Sequence, residues 1–340
     1  MTHLYDTLFH RNIHSHTEDT DIALEIINSM HGHTDFDNIS NYFDIDAYNK
    51  LDTQNTKKLN ILHINARSLP KNFDNIVAFL NTLNSAPDVL AITETWLNNN
   101  NKHLYQLIGY HSFHLVRSNR VHGGVTVFIS NKLLSEQLND LTLINDQIEI
   151  NSIKITSNTT SIIVCAVYRP HSKHEYIEEF CNNLCTLLQS NTLKNKKIIL
   201  IGDLNINLLE HTTHNPTNNF LATLQTMNLF PHISRPTRFP DSSNLGEPSL
   251  LDHIYTNFNN NFSSGIIHYP LSDHLPIFLN IFVPTKQNNL HKIEFRIINQ
   301  TNKEKFGQSI NMINWNALLQ AEDIDDNCLI FLNKLKEIFL

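Results

Sequence analysis

The chain has 340 residues, long enough for one large domain or two medium ones. Its 41% hydrophobic and 9% aromatic content excludes a wholly disordered chain, and no stretch reaches the ~18 apolar residues of a membrane helix. With 25 Lys+Arg against 33 Asp+Glu and a net charge of −8, the balance taken alone argues against nucleic-acid binding, because phosphate contacts need clustered Lys and Arg. The start, MTHLYDTLFHRNIHSH, has no basic segment ahead of an apolar run, and no Lys/Arg-rich run offers a nuclear signal. Cys165, Cys181, Cys185 and Cys328 form no CxxC pair. They read as reduced core thiols of an intracellular protein.

Residues 1–57 read as an acidic, loosely ordered leader, with short helices over Asp21–Ser29 and Tyr42–Leu51. From Lys58 the texture alternates. Leu59–Asn65 is a strand, Asn72–Leu83 a helix, and Asp88–Thr93 a buried strand. His111–Val116 and Val125–Ser130 pair through Gly123-Gly124, and Ile148–Thr156 pairs with Ser161–Tyr168 across a break at Ser157-Asn158. The helix Lys173–Ser190, the strand Lys197–Ile201 and the helix Pro216–Met227 follow. Leu250–Thr256, Gly265–His268 and Pro276–Val283 complete a strand-rich end. Hairpins mixed with helical crossovers predict an α+β domain over 58–284, two packed sheets with outer helices. Residues 285–340 read as a helical connector, with helices over Asn302–Asn311 and Asp326–Leu340. The last helix stops without a cap, as in a piece of a longer reading frame.

Several polar residues stand at the ends of apolar strands, where a reactive group is both rigid and exposed. Asn65 closes LHINARSL and serves equally as a turn residue. Glu94, in AITETWL, is placed to ligate a hard cation or to sit beside a helix cap. In IGDLNIN, Asp203 and Asn205 share one face of an extended chain, suiting proton transfer and phosphate contact, or an ordinary turn. Asp252, in LLDHIYTN, is a carboxylate in an apolar strand and needs a partner. In PLSDHLPI, Asp273 and His274 point apart, so one can ligate a metal while the other meets substrate. Asp252 is the candidate to orient that imidazole. VYRP puts Tyr168 and Arg169 at another strand end. Together the set supplies what phosphodiester hydrolysis needs: a hard-cation site, donors for a trianionic transition state, an acid/base pair and an orienting carboxylate.

HINARSL, ITETWL, HGGVTVFI, VYRP, IGDLNIN, LLDHIYTN and SDHLPI, in this order, resemble the endonuclease/exonuclease/phosphatase superfamily. More narrowly, they resemble the apurinic-like endonuclease domain of non-LTR (LINE-type) retrotransposons. The resemblance covers about Leu59 to Val283, with weaker likeness in SNYFDIDAYNKL before it and FRIINQTNKEKFGQSINMINW after it. It implies a four-layered α/β sandwich of the deoxyribonuclease I type with Mg²⁺ (or Mn²⁺) at the strand ends. It implies Glu94 as principal metal ligand with Asn65 and Asp273 nearby, and Asp203 as the group that activates water or protonates the leaving oxygen. Asn205 and Tyr168 would hold the scissile phosphate, and His274, paired with Asp252, would stabilise its charge. Many relatives carry Asp or Asn two residues after the first Asn. Here it is Arg67, which cannot ligate Mg²⁺ and can grip a phosphate oxygen. Arg169, Arg235 and Arg238 are candidate DNA contacts, the last two in a loop, SRPTRF, suited to a DNA groove or simply solvated.

The resemblance implies a Mg²⁺-dependent endonuclease that nicks duplex DNA and leaves a 3′-hydroxyl for a downstream reverse transcriptase, acting in the nucleus. The competing readings are a phosphomonoesterase or phospholipase of the same superfamily, and a catalytically decayed nucleic-acid binding module. The charge objection weakens on division of the chain. Residues 1–57 hold 3 Lys+Arg against 10 Asp+Glu, whereas 58–283 hold 15 against 16. The acidic excess therefore lies in the leader, and the domain suits a small phosphate-binding patch with weak, salt-sensitive DNA binding.

Overall fold

The computed structural model describes residues 40–51, 58–118, 121–157, 160–170, 177–240, 246–258, 262–282 and 300–316, with 323, 327, 328 and 330–334. The chain divides into two compact units, Met1–Thr285 and Lys286–Leu340. In chain order, the first unit contains β1 (Asn41–Phe43), α1 (Ile45–Lys50), β2 (Lys58–Asn65), α2 (Leu69–Thr82), β3 (Val89–Thr93), β4 (Tyr110–Leu115) and β5 (Val125–Ser130). There follow β6 (Leu134–Gln137), β7 (Leu143–Ile144), β8 (Glu149–Ser157), β9 (Thr160–Tyr168), α3 (Ile177–Leu188) and β10 (Lys197–Asp203). The unit closes with α4 (Asn215–Thr226), β11 (Phe230–Pro231), β12 (Asp252–Thr256), β13 (Phe262–Ile267) and β14 (Ile277–Phe282). The second unit carries α5 (Gln300–Met312).

Two mixed seven-stranded sheets form. One runs β1-β13-β14-β2-β3-β5-β4, the other β11-β12-β10-β9-β8-β6 with β7 beside β8. Period-2 alternation sorts the side chains of the first sheet. Ile61, Val89, Ala91, Val127 and Leu279 face the second sheet, while Leu62, Ile64, Leu90, Ile92, Phe128 and Phe278 pack on Tyr48 of α1 and on Ile76 and Phe79 of α2. The strand KIILIGD of β10 is apolar on both faces, as a strand covered on both sides must be. Phe180 and Leu184 of α3 and Phe220 and Leu224 of α4 join its core. The result is the expected α+β sandwich of four layers. No helix among the described residues is long and apolar enough to cross a membrane.

Several boundaries differ from expectation for local reasons. The helix expected over Tyr42–Leu51 begins only after Asp44, whose carboxylate caps it by accepting from Ala47 N at 2.7 Å. Upstream, Asn41–Phe43 pairs in parallel with β13, so residues 40–51 belong to the sheet and its helical cover, not to a loose leader. The helix expected from Asn72 starts at Leu69, with Pro70 in its first turn. Short β6, β7 and β11 carry too few residues for a period to show. Cys165 and Cys181 are buried as expected, but Cys328 is exposed. The helix expected over Asp21–Ser29 and most of the one over Asp326–Leu340 lie outside the described residues.

Candidate active site

The registers decide which strand ends meet. Parallel β2 and β3 set Asn65 opposite Thr93, which brings Glu94 beside Asn65. In the other sheet Asp203 stands opposite Tyr168 on one side and Asp252 on the other, and Glu149 stands opposite Tyr168. Glu149, Tyr168, Asp203 and Asp252 therefore form one row on one face. Beyond these ends the chain turns sharply. Five of the seven non-glycine residues with positive φ among the described residues lie here: Arg67, Ser68, Glu94, Trp96 and Asn205. Such conformations cost about 1–3 kcal/mol each and persist where the surroundings impose them. The lacing is visible: Ala66 N donates to Thr93 O, Ser68 N to Glu94 O, Trp96 N to Gly123 O and Leu204 N to Leu251 O, at 2.8–3.0 Å.

Asn65 bridges the two sheets. Its Nδ2 donates to Glu94 Oε1 at 3.0 Å and to Asp203 Oδ2 at 2.7 Å, and its Oδ1 accepts from Arg67 N at 3.0 Å. Asp203 Oδ1 accepts from Asn205 N at 3.0 Å. Asn205 Nδ2 donates to Arg169 O at 2.7 Å, and Arg169 Nη1 returns a bond to Asn205 O at 2.9 Å. His274 Nδ1 donates to Asp252 Oδ2 at 2.8 Å, and Thr237 Oγ1 donates to the same oxygen at 2.6 Å. Behind them, His63 Nδ1 lies 3.6 Å from Asp252 Oδ1. Arg67, Glu94, Tyr168, Asn205 and His274 line one cleft of about 400 Å³.

Burial raises the Asp203 pKa to about 8, with Asp252 and Glu94 adding to the rise and His274 opposing it. Burial opposes a proton on His274, but Asp252, Asp203 and Asp273 outweigh it and hold its pKa near 9. Burial alone would raise Asp252, yet His274 and its hydrogen bond keep it below the ordinary carboxylate value. The Tyr168 phenol is pushed well above its usual value, first by burial and then by Glu94 and Asp203. Carboxyls and an imidazole driven to opposite sides of their normal values are the pattern of an acid/base site.

The model of the Endonuclease/Exonuclease/phosphatase family matches residues 59–274. The chain belongs to this family. Family members are metal-dependent phosphoesterases and nucleases. Among solved structures, the fold is similar to the endonuclease domain of TRAS1, a telomere-specific non-LTR retrotransposon (TM-score 0.53, 15% identity, 67% of this chain and 100% of that chain). It is also similar to the 3′–5′ exonuclease NExo from Neisseria meningitidis (0.51, 16%, 66% and 100%). A family protein from Bacteroides thetaiotaomicron is a third (0.50, 14%, 68% and 99%). At these identities the likeness is one of fold. No curated protein sequence matches the chain.

The family's divalent cation can be tested against the donors present. Glu94 is half-buried in the cleft. It meets one amide N–H and, at 3.4 Å, the Trp96 indole N–H, with no ion pair to Lys, Arg or His among the described residues. An uncompensated carboxylate facing a cleft fits a hard cation. Asp203, Asp252 and His274 also bring one ligand atom each within 4.8 Å of one another. Two of these groups, however, already satisfy each other as a hydrogen-bonded imidazole–carboxylate pair. Asp273, expected near the metal, is ion-paired with Arg67 at 2.8 Å and with Arg238 at 2.9 Å.

The four arginines expected at the substrate differ. Arg67 is half-exposed in the cleft. Arg238 is partly exposed on Asp273, and Arg235 packs its guanidinium 6.0 Å from the Tyr42 ring. Arg169 is 2% exposed, so it braces the Asp203–Asn205 turn from inside instead of facing solvent. The sequence reading missed Thr237, His63, Trp96, His122 and the buried pair of Arg117 with Glu149. Glu149 Oε2 also accepts from Gly124 N at 2.6 Å. The adjacent Gly123-Gly124, in a chain with only 8 glycines, was the available signal.

Proposed function

We propose that the chain is a divalent-cation-dependent endonuclease that hydrolyses a phosphodiester of duplex DNA. The product is a nick with a 3′-hydroxyl that primes reverse transcription of a non-LTR retrotransposon. The convergence of Glu94, Asn65, Asp203, Asn205 and His274 from two sheets on one cleft carries this reading. Bound Mg²⁺ (or Mn²⁺) supplies Lewis-acid polarisation of the phosphate, with Glu94 as its principal ligand. Asp203, buried and oriented by Asn65 and Asn205 N, moves the proton at the reacting oxygen, and a pKa raised toward neutrality suits that task. His274, kept protonated by Asp252, donates from Nε2 to a phosphate oxygen as charge accumulates there. Asn205 and Tyr168 add donors. The motif order and the likeness of fold to a retrotransposon endonuclease domain support the finer reading, with 285–340 leading toward a reverse transcriptase.

The test is nicking of supercoiled plasmid by the purified chain with Mg²⁺, beside inositol phosphates and sphingomyelin. Plasmid nicking is expected. Hydrolysis of the small substrates alone overturns the DNA assignment in favour of a phosphomonoesterase or phospholipase, and inertness toward all of them favours a decayed binding module.

A further inference from the structure

The cleft holds two aromatic rings that this chemistry does not use. Trp96 stands two residues after Glu94 with φ 54°. Its backbone N–H donates to Gly123 O at 2.8 Å, so the strained backbone fixes where the indole projects. His122 packs edge-on against the indole, with ring centroids 4.4 Å apart and planes at 74°. Both rings line the same cleft as Glu94, Tyr168, Asn205 and His274. Trp96 is only partly buried and belongs to neither hydrophobic core. A non-glycine residue in this left-handed conformation costs about 1–3 kcal/mol, and such strain gathers at ligand-binding sites; here it holds an indole in a polar cleft, outside both cores.

Its nearest polar contact, indole Nε1 to Glu94 Oε2, is 3.4 Å. That is at the limit of a hydrogen bond, so orienting Glu94 is a weak reason for a ring of this size. An indole beside a phosphate-binding group offers what a nucleobase takes: a flat face for stacking.

We propose that Trp96, buttressed by His122, is a stacking platform for the nucleobase adjacent to the scissile phosphate. This rests on the DNA reading above. A base reaches such a platform only by leaving the duplex stack, which costs least where it is already unpaired. The site therefore favours a bulged or mismatched nucleotide, or a flexible step, beside the bond it cuts.

The chain has two tryptophans, so a Trp315→Phe background leaves Trp96 as the only indole emitter. In EDTA, to prevent turnover, a duplex with a one-nucleotide bulge should quench that emission and bind at least about fivefold more tightly than the fully paired duplex. With Mg²⁺, Trp96→Ala should raise KM for bulged DNA about tenfold with kcat nearly unchanged, while Trp96→Phe, which keeps a ring and loses the N–H, stays within a few-fold of wild type. His122→Ala should weaken the bulge preference in the same direction, and provides the test should Trp96→Ala fail to fold. Equal quenching by both duplexes overturns the platform. So does a fall in kcat shared by Trp96→Ala and Trp96→Phe with KM intact, which would make the indole a positioning group for Glu94. Either result in a chain that still nicks plasmid leaves the endonuclease reading standing.

Discussion

Asp252 has no path to solvent and one principal partner. Its Oδ2 receives both His274 and Thr237, and its charge is first among the influences that raise the imidazole against burial. With a folded pKa near 9 against about 6.5 unfolded, His274 stabilises the fold below pH 6.5. That contribution is lost as pH rises through 9. The same proton carries the proposed phosphate clamp. Asp252→Asn should therefore move the alkaline limb of the kcat/KM–pH profile below 9 and lower turnover at least about tenfold. A limb that stays in place would show that His274 is not the group titrating there. Asp252 and His274 were legible as residues because a carboxylate in an apolar strand demands a partner. Thr237 and His63 were not, since nothing in their own segments marks them as neighbours of Asp252.

At the scale of elements, the strands and their polar ends were readable from period and composition, and their registers were not. The pairing of Asp203 with Tyr168 and Asp252 depends on crossovers that bring distant segments together. Burial of Arg169 likewise depends on α3, whose Phe180 ring lies 5.9 Å from its guanidinium. Gly123-Gly124 shows how a loop serves the site. Its carbonyls accept from Trp96 N and Thr95 N, and its own position is held by Glu149 and Arg117. A Cβ on Gly123 would collide with the Glu149 carboxylate and come within 2.9 Å of Arg117 Nε, whereas one on Gly109 would meet nothing within 4 Å. Both glycines have positive φ, +93° and +87°. Gly109→Ala should thus cost only the conformational penalty, about 1 kcal/mol, and leave activity intact. Gly123→Ala should cost at least about 2 kcal/mol more and impair catalysis. Urea midpoints with m-values check this, and equal losses would mean that the loop is not braced by the buried pair.

Across the whole molecule, charge and buried imidazoles set the response to pH and salt. His63, His232 and His253 are each held neutral by burial, with pKa values lowered to about 4. The unfolded chain takes up these protons near 6.5, so their stabilisation is present above pH 6.5 and is lost as pH falls toward 4. Asp203, with its pKa raised to about 8, works in the opposite direction by keeping its proton in the folded state. Stability should therefore drop in that window by up to about 3 kcal/mol per pH unit, for three imidazole protons less one carboxyl proton at ~1.4 kcal/mol each. Thermal melts from pH 7 to 4.5 measure it, and a flat Tm would show that these rings are not buried neutral. The charge total, which first argued against nucleic acid, divides between an acidic 1–57 and a nearly neutral 58–283. Asp273 is ion-paired with Arg67 and Arg238, whereas Glu94 lines the cleft with no such pair among the described residues. The most direct measurement is plasmid nicking with Mg²⁺ by the wild-type chain and by Asp203→Ala and His274→Ala. The account predicts nicked circles whose 3′-hydroxyl ends a polymerase extends, and a rate at least about 10²-fold lower in each variant. Full activity in both variants would contradict it.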